Sequence, residues 1–349
     1  MTKNKTPHIM DVTLRDGSYM THFQITCDQA ANIASCLDEA GLQYIEIGHG
    51  ISVGAKEYGI SSISHDVEYA KSVANVVRRA KIGMLALPHI ATIEQIEPLA
   101  PYLDFIRIGT NIDNVRECSK FIKQCRSFDL EIFFQMIRSS SFSVSKITYA
   151  AQQVEEMDVD VIYVVDTAGR LLPDETKNCI THLKEKIKKP IGFHAHNHLG
   201  LALANSLAAI DAGCDWVDAS LLGMGRGAGN AQLEALLILL EKKNIDHTID
   251  LKQILNFTEI LVRPLSPDIK GLHAHDLMAA RAGVDLYPFE VYLSLARELG
   301  CEIWDIAEEI RKIPNVVELT LEHMGLIISR RGKDPEKVMK NLGWTRPKD

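Results

Sequence analysis

The chain has 349 residues, 46% of them hydrophobic, and this length and composition allow a large buried core. Its formal net charge of -8 excludes the broad basic surface expected of a nucleic-acid-binding protein. No apolar run approaches the roughly 20 residues that a membrane span requires. Met1 to Pro7 form no apolar signal region. The sequence therefore predicts a soluble globular protein with neither a nucleic acid nor a membrane as its partner.

The seven cysteines are scattered along the chain, and no two have the Cys-x-x-Cys spacing of a thiolate metal site. This pattern is typical of reduced thiols in a cytoplasm rather than of disulfides. We therefore expect a cytoplasmic protein in which most cysteines are packed in the core.

Eight short apolar runs recur along the chain, and amphipathic segments with helical spacing separate them. The runs are His8 to Leu14, Tyr44 to Gly48, Ile82 to Leu87, Phe105 to Gly109, Ile132 to Met136, Val161 to Val165, Ile191 to His194 and Trp216 to Ser220. Eight strand-helix units within about 250 residues predict an α/β fold, the (β/α)8 TIM barrel. An open doubly wound sheet is the alternative. The absence of a Gly-x-Gly-x-x-Gly motif after the first run favours the barrel, as do the glycines of Gly223 to Gly229 after the eighth.

The barrel is expected to occupy residues 1–245, which leaves about 100 residues for a second unit. Residues 246–349 have a mostly helical pattern, with candidate helices at Leu286 to Leu299, Ile303 to Arg311 and Val316 to Ser329. We therefore predict a small helical C-terminal domain that is packed on the barrel.

His194 and His196 lie at the end of the seventh run, and alternate residues of a strand point to the same face. Together with Asp16, which follows the first run, they offer two imidazoles and one carboxylate to a divalent cation. The open positions on such an ion suit the carboxylate and ketone oxygens of a 2-oxo acid. Arg15, next to Asp16, is positioned to stabilise the enolate oxygen of that acid.

Further ionisable residues follow other strands at the same end of the predicted barrel, where active sites of this fold lie. We interpret Glu46, His49 and Asp166, with Arg15, as candidate substrate-binding residues. Glu46 is alternatively a residue that orients a ligand or Arg15. No lysine stands at any of the eight strand ends, which argues against Schiff-base chemistry.

Several motifs resemble the 4-hydroxy-2-oxovalerate aldolases, members of a superfamily of metal-dependent, pyruvate-handling barrels that includes isopropylmalate synthases and hydroxymethylglutaryl-CoA lyases. The motifs are Asp11-Val12-Thr13-Leu14-Arg15-Asp16-Gly17-Ser18, Ile45-Glu46-Ile47-Gly48-His49-Gly50, His194-Ala195-His196, Val217-Asp218-Ala219-Ser220 and Ala228-Gly229-Asn230. Ser18 favours the aldolases, because the Claisen-type synthases usually have Glu-Gln after Arg-Asp-Gly.

The resemblance implies a Mn²⁺-like ion on Asp16, His194 and His196, with Asn230 nearby, although Mg²⁺, Co²⁺ or Zn²⁺ also suits such ligands. It further implies pyruvate and an aldehyde as the small-molecule partners. Its last implication is a C-terminal domain that docks an acylating aldehyde dehydrogenase, in a homo- or hetero-oligomer.

One position departs from this family. The aldolases have a histidine directly after Arg-Asp-Gly-Ser, proposed as the base that deprotonates the 4-hydroxyl group, and this chain has Tyr19 instead. A phenol has an ordinary pKa near 10, so it acts as a base only where a nearby charge favours the phenolate. His22 from the same loop and Tyr287 from the C-terminal region are the other candidate bases.

The leading hypothesis is a divalent-metal-dependent class II aldolase that cleaves a 4-hydroxy-2-oxo acid to pyruvate and an aldehyde. The alternatives are a Claisen-type acyltransferase that uses an acyl-CoA and a 2-oxo acid, and a non-catalytic binding protein.

Overall fold

The structure is a computed structural model that describes residues 6–265, 282–284, 286, 289–314, 316 and 319–344. Eight parallel strands form a closed barrel in chain order, and β8 pairs with β1. The strands are β1 His8–Asp11, β2 Tyr44–Ile47, β3 Lys81–Ala86, β4 Phe105–Asn111, β5 Glu131–Ile137, β6 Val161–Asp166, β7 Ile191–Ala195 and β8 Trp216–Ala219. The predicted barrel is confirmed, and the open doubly wound sheet is wrong.

Helices connect successive strands and cover the barrel, as the amphipathic segments predict. Those of the barrel are α1 Cys27–Glu39, α2 Asp66–Ala74, α3 Ile93–Ile96, α4 Ser119–Arg126, α5 Val144–Glu155, α6 Pro173–Lys186, α7 Ala202–Asp211 and α8 Leu233–Lys242. Side-chain caps begin several of them. At α1, for example, the Thr26 side chain accepts a hydrogen bond from the Gln29 N–H, and the Gln29 side chain accepts one from the Thr26 N–H.

The C-terminal part of the chain is also helical in the described residues. Its helices are α9 Leu251–Phe257, α10 Phe289–Leu299, α11 Ile303–Arg311, α12 Leu321–Arg330 and α13 Pro335–Asn341. Helix α12 begins five residues later than its apolar pattern predicts, because the Thr320 side chain caps it by accepting a hydrogen bond from the His323 N–H. Helix α10 begins at Phe289 rather than at Leu286.

Three hydrophobic clusters are present among the described residues: one inside the barrel, one between the barrel and its helices, and one among the C-terminal helices. The helices α10 to α13 enclose one of their own, with Leu295, Ile306 and Ile327 fully buried. Ile254 of α9 belongs instead to the large core between the barrel and its helices. The division into residues 1–245 and 246–349 remains a prediction. Within the described part of the chain, no helix is both long and apolar enough to cross a membrane.

Strand β1 ends earlier than its apolar pattern predicts, at Asp11 rather than at Leu14. The Asp11 carboxylate accepts hydrogen bonds from the Thr13 N–H at 3.0 Å and from the Thr13 hydroxyl at 2.8 Å, which turns the chain out of the sheet. The Leu221 N–H in turn donates to the Thr13 hydroxyl oxygen at 2.8 Å. These bonds join the loop after β1 to the loop after β8.

The interior of the barrel is built in two layers. The lower layer is apolar and mostly aromatic, and its largest side chains are those of Tyr44, Phe105, Phe133, Tyr163 and Trp216. Side chains two positions apart on a strand share a face, so the residues two positions after Tyr44, Phe105, Phe133 and Trp216 form a layer above them. That upper layer is polar and buried, and it consists of Glu46, Arg107, Gln135 and Asp218. The aromatic layer thus separates the polar layer from the amino-terminal end of the barrel.

Gly83 of β3 leaves the space that the Phe105 ring occupies, since a Cβ there would overlap both that ring and the Phe105 carbonyl oxygen. We expect Gly83→Ala to lower the free energy of unfolding by about 1–3 kcal/mol, the usual cost of overpacking a core. Urea unfolding measures this. The control is Gly325→Ala in α12, where the new methyl group meets the movable end of Met339 at 3.2 Å and makes an ordinary contact with Pro335 Cβ at 3.8 Å. Equal losses in the two variants would contradict the packing argument.

Burial raises the pKa of Asp11 to about 7 from its ordinary 3.8, although the two hydrogen bonds from Thr13 act against the shift. The folded state therefore binds this proton more tightly than the unfolded state does, which stabilises the protein below about pH 4. That contribution is lost as the pH rises from about 4 to about 7.

We therefore expect Asp11→Asn to gain stability relative to the natural protein across this pH range, by up to about 1.4 kcal/mol per pH unit. Urea unfolding between pH 4.5 and 7.5 tests it, with the exposed Asp246→Asn as the control. A stability difference that does not change with pH would show that Asp11 does not titrate in this range.

Candidate metal centre and active site

Asp16, His194 and His196 converge at the carboxyl-terminal end of the barrel. Their ligating atoms lie within 4.8 Å of one another, and all three side chains are buried. His194 lies in β7 and His196 directly follows that strand, so both imidazoles face the same side. Asp16 begins the short 3-10 helix after β1. Two strand ends therefore bring together two imidazoles and one carboxylate.

Asp218 orients His194. The His194 Nδ1 lies 2.7 Å from Asp218 Oδ2, both groups being buried. A hydrogen bond from Nδ1–H to this carboxylate leaves the His194 Nε2 lone pair as the ligating one. The carboxylate-histidine pair is a common support for a metal ligand, because it fixes both the tautomer and the direction of the ring.

Asn230 is placed beside the three ligand residues. Its Nδ2 donates hydrogen bonds to Asp16 Oδ2 at 2.8 Å and to the Met224 carbonyl oxygen at 3.0 Å. Its Oδ1 is buried and has no hydrogen-bond partner among the described residues. Asn230 is therefore positioned to hold Asp16 and to offer its own oxygen to the same centre.

Arg15 is held in place by two carboxylates. Its Nε donates to Glu46 Oε2 at 2.8 Å, and its Nη1 donates to Asp16 Oδ1 at 2.6 Å. Only 8% of the Arg15 surface is exposed, so the guanidinium direction is set by these ion pairs rather than by solvent. Arg15 thus presents a fixed set of donors next to the candidate metal ligands.

Arg107, in the polar layer of the barrel, bonds to two of the carboxylates of this cluster. Its Nη1 donates to the same Glu46 Oε2 at 2.8 Å, and its Nη2 donates to Asp218 Oδ2 at 2.6 Å and to Gln135 Oε1 at 2.8 Å. The Arg107 guanidinium carbon lies 4.5 Å from the centre of the Tyr163 ring, in the aromatic layer. Arg107 therefore links the carboxylate that holds Arg15 to the carboxylate that orients His194.

Burial and neighbouring charges set the protonation of the ligand residues. Burial acts to raise the pKa of Asp16, but the Arg15 guanidinium, the two histidines and the hydrogen bond from Asn230 together outweigh burial and hold that pKa below its ordinary value. Burial lowers the pKa of His196 well below its ordinary value, and the nearby Asp16 only partly opposes this. An ionised carboxylate and a neutral imidazole are the forms that bind a metal ion.

The charges of the buried cluster fit a cation. Three carboxylates, those of Asp16, Glu46 and Asp218, face the guanidinium groups of Arg15 and Arg107, which leaves one negative charge in excess when the imidazoles are neutral. A buried excess charge is costly unless it is paired or binds a metal. The His196 Nδ1 is also buried without a hydrogen-bond partner in the described residues. The donor set and its charge thus suit a divalent ion.

The three candidate bases lie in different environments. Tyr19 is half-buried and packs edge-on against Phe23, with ring centroids 5.0 Å apart. Arg226 Cζ lies 5.8 Å from the centre of the Tyr19 ring. His22 is exposed, so the structure does not bring it into the buried cluster. Tyr287 lies outside the described residues.

The predicted substrate-binding residues lie in different parts of the structure. Glu46 belongs to the buried cluster with Arg15. His49 lies in the loop after β2, where it accepts a hydrogen bond from the Ile51 N–H at 3.1 Å and stacks on Phe23 at 4.1 Å. Asp166 accepts hydrogen bonds from the N–H groups of Arg170 and Leu171, at 3.1 and 3.0 Å, and so holds the loop after β6. A contact of His49 or Asp166 with substrate remains a prediction.

Sequence reasoning assigned no role to Asp218, Gln135 or Arg226. The first two have a signal in the sequence, because each is a polar residue within an apolar strand and stands two positions after an aromatic one. Arg226 has none beyond its place among the glycines after β8. Its N–H donates to Asp16 Oδ2 at 3.2 Å.

The sequence pattern of the HMGL-like family matches residues 6–100 and 103–261 of this chain. Among curated relatives, the oxaloacetate decarboxylase of Mycobacterium tuberculosis is 33% identical over 309 residues, which cover 88% of this chain and 92% of that protein. The 4-hydroxy-2-oxovalerate aldolase of Thermus thermophilus is 37% identical over 303 residues, 86% of each chain.

A solved structure with the same fold is the carboxyl transferase domain of Rhizobium etli pyruvate carboxylase with pyruvate and biocytin. It superposes with a TM-score of 0.78 over 96% of this chain and 62% of that one, at 19% identity, which shows the fold alone. The family pattern, by contrast, spans both the Asp16 loop and the His194-x-His196 strand end. With relatives above 30% identity over most of its length, the chain belongs to the HMGL-like family and is a relative of the 4-hydroxy-2-oxovalerate aldolases.

Proposed function

We propose that this protein is a divalent-metal-dependent class II aldolase that reversibly joins pyruvate, or a closely related 2-oxo acid, to an aldehyde. As a member of its family it is an enzyme, a carbon-carbon lyase that acts on oxo acids. The observation that carries the finer proposal is the convergence of Asp16, His194 and His196 within 4.8 Å, beside the fixed guanidinium of Arg15.

Mn²⁺ is the ion that we propose, since two imidazoles, a carboxylate and an amide oxygen form a donor set between those of Zn²⁺ and the harder ions. Mg²⁺, Co²⁺ and Zn²⁺ are the alternatives. When bound, the ion supplies the positive charge that holds the oxygens of the 2-oxo acid and polarises its ketone. Asp16, His194 and His196 would hold it, with Asn230 as a further ligand.

Arg15 acts on the oxygen that becomes negative. In the cleavage direction the C3–C4 bond of the substrate breaks, the 4-hydroxyl loses its proton, and the pyruvate fragment forms as an enolate that then takes a proton at C3. Donors already aimed at a developing oxyanion stabilise it without reorganisation. The bonds of Arg15 to Glu46 and Asp16 fix the direction of its guanidinium group in this way.

The proton of the 4-hydroxyl needs an acceptor, and Tyr19 is the candidate base that the geometry favours. It follows Asp16 by three residues, and the Arg226 guanidinium carbon lies 5.8 Å from the centre of its ring. His22 is exposed, and Tyr287 remains a candidate on sequence grounds alone.

A second candidate activity is the decarboxylation of oxaloacetate, the activity that the name of the M. tuberculosis relative gives. Loss of CO2 from oxaloacetate leaves the same pyruvate enolate, and it requires no base for a 4-hydroxyl group. Tyr19 in place of the family's histidine therefore impairs this reaction less than the aldol reaction. Neither the Claisen acyltransferase nor the non-catalytic hypothesis is favoured by a comparable observation.

We also propose that the C-terminal helices bind an acylating aldehyde dehydrogenase and that the protein forms an oligomer. The separate hydrophobic core of α10 to α13 supports a self-contained unit that could serve in such contacts. Complex formation in gel filtration with a dehydrogenase encoded by the same organism tests this.

The role of Asp218 is tested by metal affinity. Asp218→Asn removes the carboxylate that orients His194, so we expect the affinity for Mn²⁺ to fall about 10- to 100-fold, the usual effect of losing a residue that supports a ligand. Isothermal titration with MnCl2 measures it. The control is Asp211→Asn, which removes only an exposed ion pair with Lys243. Equal affinities in the two variants would show that Asp218 does not support the centre.

Enolate formation is tested without knowledge of the aldehyde. In D2O with Mn²⁺ we expect the protein to exchange the methyl protons of pyruvate for deuterium, and we expect Asp16→Asn to abolish the exchange. NMR follows the methyl signal, again with Asp211→Asn as the control. Exchange that persists in Asp16→Asn, or that is absent from the natural protein with every divalent ion tested, would overturn the proposal.

A further inference from the structure

We propose that the aldehyde substrate of this protein carries an anionic group, a carboxylate or a phosphate, and that Arg138 and Arg226 bind that group. The inference rests on the proposed function and names the substrate class of the same site. It comes from a cavity that Arg226, a neighbour of Asp16, helps to line. The size and lining charges of this cavity differ from those expected for a small neutral aldehyde.

The cavity opens at the carboxyl-terminal ends of three neighbouring strands. It is lined by Leu87 after β3, by Asn111 at the end of β4 and by Ile137 at the end of β5. Substrates of barrel enzymes bind at this end of the strands. The volume of the cavity is about 630 Å³, within the range of pockets that hold whole organic ligands. The space is therefore much larger than a two- or three-carbon aldehyde requires.

Arg226 connects this cavity to the candidate metal centre. Arg226 follows β8 and lines the cavity, and its N–H donates to Asp16 Oδ2 at 3.2 Å. Its guanidinium carbon lies 5.8 Å from the centre of the ring of Tyr19, the proposed base. The loop after β8 therefore contributes to both the cavity and the candidate metal centre.

Arg138 also lines the cavity, and it is held in an uncommon backbone conformation. Its φ of 61° lies in the left-handed region, which non-glycine residues seldom adopt. The Arg138 N–H donates to Thr167 Oγ1 at 2.8 Å, and the side-chain Nη1 donates to Asn111 Oδ1 at 2.9 Å. Strained backbone that is held by such bonds is concentrated at functional sites. The bonds fix the direction of the Arg138 guanidinium along the cavity wall.

The lining of the cavity is polar and positively charged. Two arginines are present with one carboxylate, that of the exposed Glu117, and with the exposed His89. Guanidinium groups match the oxygen geometry of both carboxylates and phosphates. Both arginines also contact groups within the protein, so an anion would share them with those partners. An alkyl aldehyde has no group that would use these donors.

The reaction needs no further reagent with such a substrate. A methyl proton leaves pyruvate, its C3 bonds to the carbonyl carbon of the aldehyde, and the carbonyl oxygen takes up a proton. The anionic group is remote from these atoms and is unchanged. Its only part is to hold the aldehyde in the orientation that the enolate attacks.

The experiment compares matched aldehydes as acceptors for pyruvate, using the full chain with Mn²⁺. One pair is succinic semialdehyde and butanal, and the other is glyceraldehyde 3-phosphate and glyceraldehyde. We expect kcat/KM for the charged member to exceed that for the neutral member by about tenfold or more in at least one pair, since hydrogen bonds to charged groups are among the stronger ones. The pair that shows the preference tells a carboxylate from a phosphate.

Arg138→Gln and Arg226→Gln test the residues themselves. Arg138→Gln should lower kcat/KM for the charged aldehyde by about 10- to 100-fold while changing that for its neutral partner much less. Arg226→Gln also removes the contact with the Tyr19 ring, so it is expected to lower both rates, and its test is a fall in the ratio of the charged to the neutral rate. Arg116→Gln is the matched control, because it removes the same charge from an exposed position where Arg116 donates only to Gln153 among the described contacts. A general loss of structure would lower both rates together and leave their ratio unchanged.

Equal kcat/KM values for the charged and neutral members of both pairs in the natural protein would overturn this proposal. So would arginine variants that leave the ratio unchanged. Deuterium exchange at the pyruvate methyl group tests the aldolase function independently of the anionic substrate class, because it requires no aldehyde. Exchange without a preference for the charged aldehydes would overturn the substrate class alone, whereas absence of exchange would overturn the aldolase function and this inference with it.

Discussion

The buried guanidinium of Arg107 is the group on which the geometry of the whole site depends. It bonds at once to Glu46 and Asp218, and these carboxylates in turn hold Arg15 and His194. An ion pair that is fully removed from water gains its energy only when every partner is in place, and loss of one partner leaves an uncompensated charge. The residue proposed to stabilise the enolate and one proposed metal ligand therefore share a single support, and neither can shift without the other.

The aromatic layer makes this support possible. Large apolar side chains fill the lower barrel, so the polar layer packs on an apolar surface. The Arg107 guanidinium carbon lies 4.5 Å from the centre of the Tyr163 ring. Gly83 and Gly192 lie where the rings of Phe105 and Tyr163 need space. The barrel interior thus passes from apolar packing through charge pairing to the candidate metal ligands at its carboxyl-terminal end.

Much of this could be predicted from the sequence, because some of its signals are local. The eight apolar runs depend only on spacing along the chain, and the resulting fold is confirmed. That fold brings the ends of all eight strands to one end of the barrel, so Asp16 and His194-x-His196, which stand at or after strand ends, could be paired once the barrel was predicted. The end of β1 was missed, since Val12 and Leu14 are buried beyond the strand and continue its apolar alternation, while the turn depends on a side-chain bond of Asp11. The partners of Arg107 could not be predicted from the sequence, because they come from β2, β5 and β8 and no local pattern says which of the inward-facing side chains form bonds with one another.

Arg226 contacts its two neighbours with different parts of the residue. Its main-chain amide donates to Asp16, while the residue also lines the cavity proposed for the aldehyde. Every amino acid except proline supplies such an amide. A different side chain at this position would therefore change the lining of the cavity while the hydrogen bond to the Asp16 carboxylate stays in place. The support of this candidate metal ligand is thus independent of the side chain that the loop presents to the cavity.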